Sequence, residues 1–248
     1  MNTILVHRDG RTEQTTRIDR AWLNASAGVF LWVDLEAPSI PESLLLSDTF
    51  GFHRLAVEDA MSAGQAPKVE AYDGYLFAVL KGADAEVDCF VGQSFLVTVH
   101  WSESKAIADL SDNARHDAKW MVEGSVGLFH RVADALVDGF RPEIARLGDQ
   151  LDRIDAVVFD KPSPAVVKDA LASRRDVFTL LRTCVAQREA VGRLARREFV
   201  DISTEMAFRF RDVHDHLVRI EDEASALQDR LAGLLTAAVG LAGARRWI

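Results

Sequence analysis

Phe50-Gly51-Phe52-His53-Arg54-Leu55-Ala56-Val57-Glu58-Asp59, then Pro67-Lys68-Val69-Glu70-Ala71-Tyr72 and Tyr75-Leu76-Phe77-Ala78-Val79-Leu80-Lys81, is the stretch on which the fold turns. It reads as a helix ending in an acidic pair, a loop carrying Gly64 and Pro67, and two short apolar-aromatic strands hinged at Asp73-Gly74. Upstream, Thr3 to His7, Arg11 to Ile18 and Val29 to Leu35 read as strands, and downstream Glu86 to Val91 and Phe95 to His100 do the same, which makes about seven. Gly92-Gln93 suits a hairpin turn between the last two. Helical stretches over Pro41 to Phe50, Arg54 to Ser62 and Glu103 to Asn113 lie among them. Residues 1–115 therefore read as an α/β/α sandwich with a mixed sheet.

Beyond residue 115 the period changes. Residues 116–248 read as a long-helix region, with helices over about 117–160, 165–197 and 203–240. Leu136, Phe140, Ile144, Leu147, Leu151, Ile154 and Val158 follow one another at three and four spacing. Pro142, close to Gly139, predicts a kink in that helix, and Lys161-Pro162-Ser163-Pro164 a break after it. On the third helix Met206, Phe210, Val213, Leu217, Ile220, Ala224, Leu227, Leu231 and Leu234 form a heptad seam, expected to pack along the second helix in a coiled-coil-like stalk. At 1.5 Å per residue such a helix is roughly 50 Å long.

Composition narrows the function. The 248 residues include 38 acidic and 29 basic ones, for a net charge of −9, and 48% are hydrophobic. A real core is affordable, nucleic acid is not an expected partner, and cations are. Cys89 and Cys184 sit in apolar runs and suggest neither disulfide nor thiolate site. No signal peptide is visible, and the most apolar helical run, Leu231 to Ala244, is shorter than the about 20 residues a membrane span needs. The chain as given is expected to be soluble. It has no nucleophile elbow, phosphate-binding glycine loop or His-Glu-x-x-His, so it is not expected to be an enzyme. His53 and His100, beside hydrophobic runs, read as structural histidines.

Two places could hold a metal. Glu58-Asp59 ends a helix against its macrodipole, so either Lys68 across the loop or a bound cation should offset it. Magnesium needs only one or two carboxylates and keeps several waters, so so sparse a site is chemically adequate. On the third helix Arg209, Asp212, His216, Arg219 and Glu223 flank the seam, and Asp212 and His216, one turn apart, could cap a cation or form a solvated face.

The opening stretch, with Leu31-Trp32-Val33-Asp34-Leu35, Phe95-Leu96-Val97-Thr98-Val99-His100 and Phe210-Arg211-Asp212-Val213-His214-Asp215-His216 in the same order, resembles the cytoplasmic domain of the CorA family of magnesium and divalent-cation channels. The resemblance implies a homopentamer at the cytoplasmic face of the inner membrane, whose long helices lead into membrane helices that this chain lacks along with the Gly-Met-Asn pore motif. It implies a regulatory cation, Mg2+ or alternatively Co2+, Ni2+ or Zn2+, bound between the Asp59 of one subunit and the Asp212 of the next and holding the channel closed. Glu58 and His216 would be outer or alternative ligands, with Asp149 and Asp152, after Gly148, candidates for a second site. For the fragment it implies a monomer or weak oligomer. A zinc-transporting relative and a helical scaffold binding another protein are the alternatives.

Overall fold

The central strands are buried almost throughout, because each one feeds two cores. In the computed structural model, which describes residues 2–158 and 163–244, β1 (Thr3–Arg8), β2 (Arg11–Gln14), β3 (Phe30–Glu36), β4 (Lys68–Tyr72), β5 (Tyr75–Lys81), β6 (Glu86–Gly92) and β7 (Phe95–His100) form one sheet in the order β2-β1-β3-β7-β6-β5-β4. Only β3 and β7 pair in parallel; every other neighbour is antiparallel. The Asp73-Gly74 hinge closes a two-residue hairpin with Tyr72 opposite Tyr75, and Gly74 supplies the positive φ of 81° that the turn needs. At Gly92 a Cβ would come within 2.3 Å of the Phe95 ring, so glycine lets the β6–β7 turn fold back on that aromatic.

One face of the sheet offers Leu31, Val33, Leu35, Phe77, Val79, Phe90, Val97 and Val99 to Leu46, Phe52, Ala56 and Ala60. These come from the short helix α1 (Ile40–Leu44), a wider π turn (Leu45–Thr49) and α2 (Arg54–Ala60). The helix expected over Pro41 to Phe50 thus starts one residue earlier as an ordinary α-helix and widens into the π turn. On the other face Trp32, Leu76, Ala78, Leu80, Cys89 and Leu96 are buried, with α3 (Lys105–His116), α4 (Lys119–Val122) and α5 (Gly124–Asp138) on that side of the chain. Here α5 packs against β3, β5, β6 and β7. The sheet is covered on both faces, as its doubly apolar strands require.

The single helix expected over about 117–160 is three: α4, α5 and α6 (Phe140–Val158). Gly124, with φ 70°, separates the first two, and Gly139 the last two. Pro142 falls in the first turn of α6, where a missing N–H costs nothing, so a kink becomes a helix start. The expected break at Lys161-Pro162 lies outside the described residues, and α7 (Pro164–Ala195) follows it. The third expected helix is α8 (Thr204–Ala244).

The chain forms two compact units, Met1–Gly139 with Ala186–His214 and Phe140–Val185 with Asp215–Ile248. Within the first, the seam residue Phe210 meets Phe129 of α5 with ring centroids 5.6 Å apart. Within the second, Leu231 and Leu234 cluster with Leu151, Ile154 and Val158 of α6 and Ala170 of α7. The seam therefore packs on α5 and α6 as well as on α7, the one partner expected from the heptads.

Candidate cation site

His53 starts α2: its ring nitrogen accepts from the Leu55 N–H at 3.2 Å, and its own N–H donates to the Tyr75 hydroxyl at 2.9 Å. The helix runs to Ala60, with Met61 as its C-terminal cap, and leaves Glu58 and Asp59 at its negative end. The Lys68 ammonium offsets them. Its Nζ lies 2.6 Å from Asp59 Oδ2 and 3.0 Å from Glu70 Oε2, and 5.5 Å from the centre of the Phe77 ring. Burial works against the ammonium, yet the hydrogen bonds it donates to Asp59 and Glu70 raise its pKa above the ordinary lysine range. Tyr72 donates its hydroxyl to the same Glu70 at 3.3 Å. Glu58 is exposed. The loop after α2 is tied down by Glu86, which accepts from the Gly64 and Gln65 N–H groups at 3.1 Å.

Strand register places Lys68, Val79, Asp88 and Val99 in one row beneath α2. Asp88 is only 2% exposed, and its Oδ1 has no hydrogen-bond partner. Burial pushes its carboxyl up to about 8, the charges of Glu86 and Asp59 add to that, and Lys68 and Lys81 oppose it. Asp88 is thus a neutral acid at pH 7. Nothing in the sequence singled it out, because its strand otherwise reads as ordinary core.

The other expected ligands lie on α6 and α8, with Asp212 and His216 one turn apart on the unbroken α8. Asp212 is exposed on α8 in the first unit, while His216 belongs to the second. There His216 lines a cleft of about 300 Å³ with Arg141, Arg219 and Glu223, and two guanidiniums make that a poor place for a cation. Asp149 is exposed. Asp152 is engaged by Arg230, whose guanidinium lies 2.6 Å from Asp152 and 3.1 Å from Asp155. Among the described residues no group of three or more His, Cys, Asp or Glu side chains could hold a metal.

A second polar cluster lies in the sheet itself. Thr98 takes a hydrogen bond from the Trp32 indole at 3.1 Å and gives one to Asp34 at 2.6 Å. His100 presents Nε2 to Asp34 at 3.3 Å and Nδ1 to the Ser102 carbonyl at 2.7 Å. Burial lowers the imidazole pKa, but the Asp34 carboxylate outweighs it and the net shift is upward. His100 is buried with both nitrogens satisfied, and His53, though exposed, caps α2, so both have structural roles.

Residues 27–242 match the family of CorA-like Mg2+ transporter proteins. The chain belongs to that family. CorA-like proteins are metal ion transporters rather than enzymes. The chain is 29% identical over 228 residues to YfjQ of Bacillus subtilis, whose name proposes metal ion transport, covering 90% of this chain and 69% of that protein. To the cobalt/magnesium transport protein CorA of Thermotoga maritima it is 27% identical over 201 residues, covering 77% of this chain and 57% of the relative. The chain thus spans between about half and two thirds of these CorA-like relatives. Its fold matches the soluble domain of CorA from Methanocaldococcus jannaschii with a TM-score of 0.81 at 16% identity, covering 96% of this chain and 97% of that one. Among the described residues no helix is long and apolar enough to cross a membrane.

Proposed function

We propose that the chain is the cation-sensing, regulatory part of a CorA-type channel for magnesium, or for cobalt or nickel, at the cytoplasmic face of the inner membrane. In this reading a hydrated divalent ion bridges Asp59 of one subunit and Asp212 of the next in a homopentamer and stabilises the closed arrangement. The observation that carries it is the state of Asp59: its side chain is 29% exposed and is held by an ammonium that has a second carboxylate, Glu70, to fall back on. A divalent ion arriving with a neighbouring carboxylate can displace Lys68 from Asp59 without stranding it. When the ion leaves, Lys68 closes on Asp59 again, and the two facing carboxylates of separate subunits lose what held them together. Glu58, exposed beside Asp59, adds an outer ligand. Magnesium suits this reading better than zinc, since His216 shares its cleft with two guanidiniums.

The test is sedimentation of the purified chain in chelator and in excess magnesium. A bridging ion stabilises only the associated state. Magnesium should therefore shift the wild type toward higher order, and Asp59→Ala or Asp212→Ala should remove the shift. Lys68→Met, which takes away the competing cation, should bring the shift to lower magnesium concentrations. Sedimentation that is the same with and without magnesium refutes the reading, as does a Lys68→Met protein that needs more magnesium than the wild type.

A further inference from the structure

β3 and β7 run parallel and hand the chain on to opposite faces of the sheet: β3 leads to α1 and α2, and β7 to α3. Helices that part in this way uncover the carboxyl ends of the strands between them, which is where open α/β sheets bind ligands. Here those ends open on a crevice of about 220 Å³, lined by Asp34, Glu36, His100 and one face of α3. A single water needs about 10 to 15 Å³ of such space and a drug-sized ligand at least about 300 Å³, so the crevice suits a small molecule. Ser111 of α3 lines it as well, is only 6% exposed, and its hydroxyl has no hydrogen-bond partner among the described residues. A helical serine commonly gives its proton to the carbonyl four residues back, as Ser173 does to Asp169 at 3.0 Å. Ser111 keeps its hydroxyl free at the crevice wall.

The charge of the lining selects a cation. Asp34, Glu36, Glu103 and Asp112 face two basic side chains, Arg115 and His100. Both of these are engaged: Arg115 donates to Asp112 at 3.2 Å and to the Thr3 hydroxyl at 3.0 Å, and His100 lies between Asp34 and the Ser102 carbonyl. The carboxylates do not converge on a point, since no group of three or more such side chains among the described residues could hold a metal. They are strung out instead. Asp34 and Glu36 are two residues, roughly 7 Å, apart on β3. Glu103 precedes the first turn of α3, Ser111 follows two turns later, roughly 10 Å on, and the apolar Ile107 and Ala108 line the crevice between them. An extended cation with nitrogen donors at both ends of an apolar body fits that spacing better than a point charge. We propose that the crevice binds a short aliphatic diamine, with one ammonium at the buried Asp34 and the Ser111 hydroxyl, the other near Glu103 at the mouth, and the methylenes against Ile107 and Ala108. The site lies across the sheet from α2 and is independent of the cation site at Asp59.

Calorimetric titration of the full chain with putrescine, in chelator so that no divalent ion takes part, tests it against butanediol, the chain of the same length with hydroxyl ends. Putrescine should bind at one site per chain, more weakly as salt rises, and butanediol should not bind. Ser111→Ala should weaken putrescine binding about ten-fold, the loss of one hydrogen bond to a charged donor. That substitution removes a buried, unpartnered hydroxyl, so the variant should resist urea at least as well as the wild type, and its weaker binding would not reflect unfolding. Glu103→Gln should weaken binding a few-fold, whereas Asp201→Asn, the same charge change at an exposed position elsewhere, should leave it intact. No binding of putrescine, equal binding of butanediol, undiminished binding by Ser111→Ala, or an equal loss in Asp201→Asn would overturn the proposal. Magnesium that displaces putrescine one for one would overturn it too and assign the crevice to a divalent ion.

Discussion

Replacing Asp88 by asparagine should make the protein more stable at neutral pH, and increasingly so as the pH rises. The carboxyl is buried, one of its oxygens has no partner, and its pKa stands at about 8 against 3.8 for the free side chain. The folded state therefore binds a proton that the unfolded chain has released. The stabilising state is fully present below pH 3.8 and is lost as the pH rises through 8, with a slope of about 1.4 kcal/mol per pH unit between those limits. At pH 7 the accumulated cost is about 4 kcal/mol on that slope. Asp88→Asn needs no proton, so it escapes this cost, less about 1 to 3 kcal/mol for an amide that meets the same unpartnered surroundings. That offset does not vary with pH. Urea unfolding of both proteins between about pH 5 and 7 should therefore show their stability difference widening by about 2 to 3 kcal/mol in favour of the variant. His100, whose raised pKa acts above 6.5 in both proteins, cancels from the difference. Two stability curves that stay parallel over this range would show that Asp88 holds no extra proton when folded, and the burial argument would fail.

Leu217 is completely buried in the α8 seam, so Leu217→Ala should lower unfolding free energy by about 2 to 5 kcal/mol; a near-zero change would mean the seam collapses freely. The His100 imidazole should remain protonated above pH 6.5, since both its nitrogens face acceptors. Its contribution to stability is full below 6.5 and is lost as the pH rises through the raised value; an NMR titration with a midpoint at or below 6.5 contradicts this. Arg230→Gln removes two ion pairs, but the guanidinium is 39% exposed, so the loss should not exceed about 1 kcal/mol and should shrink with salt. A larger, salt-independent loss would show that Arg230 acts through packing.

What the sequence made legible follows from which interactions are local. Lys68–Tyr72 and Tyr75–Lys81 carry their bounds in their own alternation and in the Asp73-Gly74 turn, and they are strands over those residues. Arg11 to Ile18 looked equally extended, yet β2 stops at Gln14. It is an edge strand with no buried residue, so only pairing with β1 keeps it extended, and that pairing reaches Leu5↔Gln14. The helix read over 117–160 shows a different limit. Leu136, Phe140 and Ile144 keep their spacing across Gly139, which itself has helical dihedrals and bonds back to Ala135, so the apolar stripe carries no mark of the point where α5 gives way to α6.

The site divides along the same line. Lys68 was one of two partners the sequence offered to the acidic end of α2, because loop and strand are neighbours in the chain. Arg230 with Asp152 was out of reach, since α6 and α8 meet only once three helices have packed. Asp88 was hidden for a third reason. An aspartate between Val87 and Cys89 can sit at an exposed edge or in the centre of a sheet, and only the order β7-β6-β5 puts it in the centre. That order also decides its chemistry. At an edge the carboxylate would stay solvated and ionised, whereas between two strands and under α2 the cheaper course is to keep the proton.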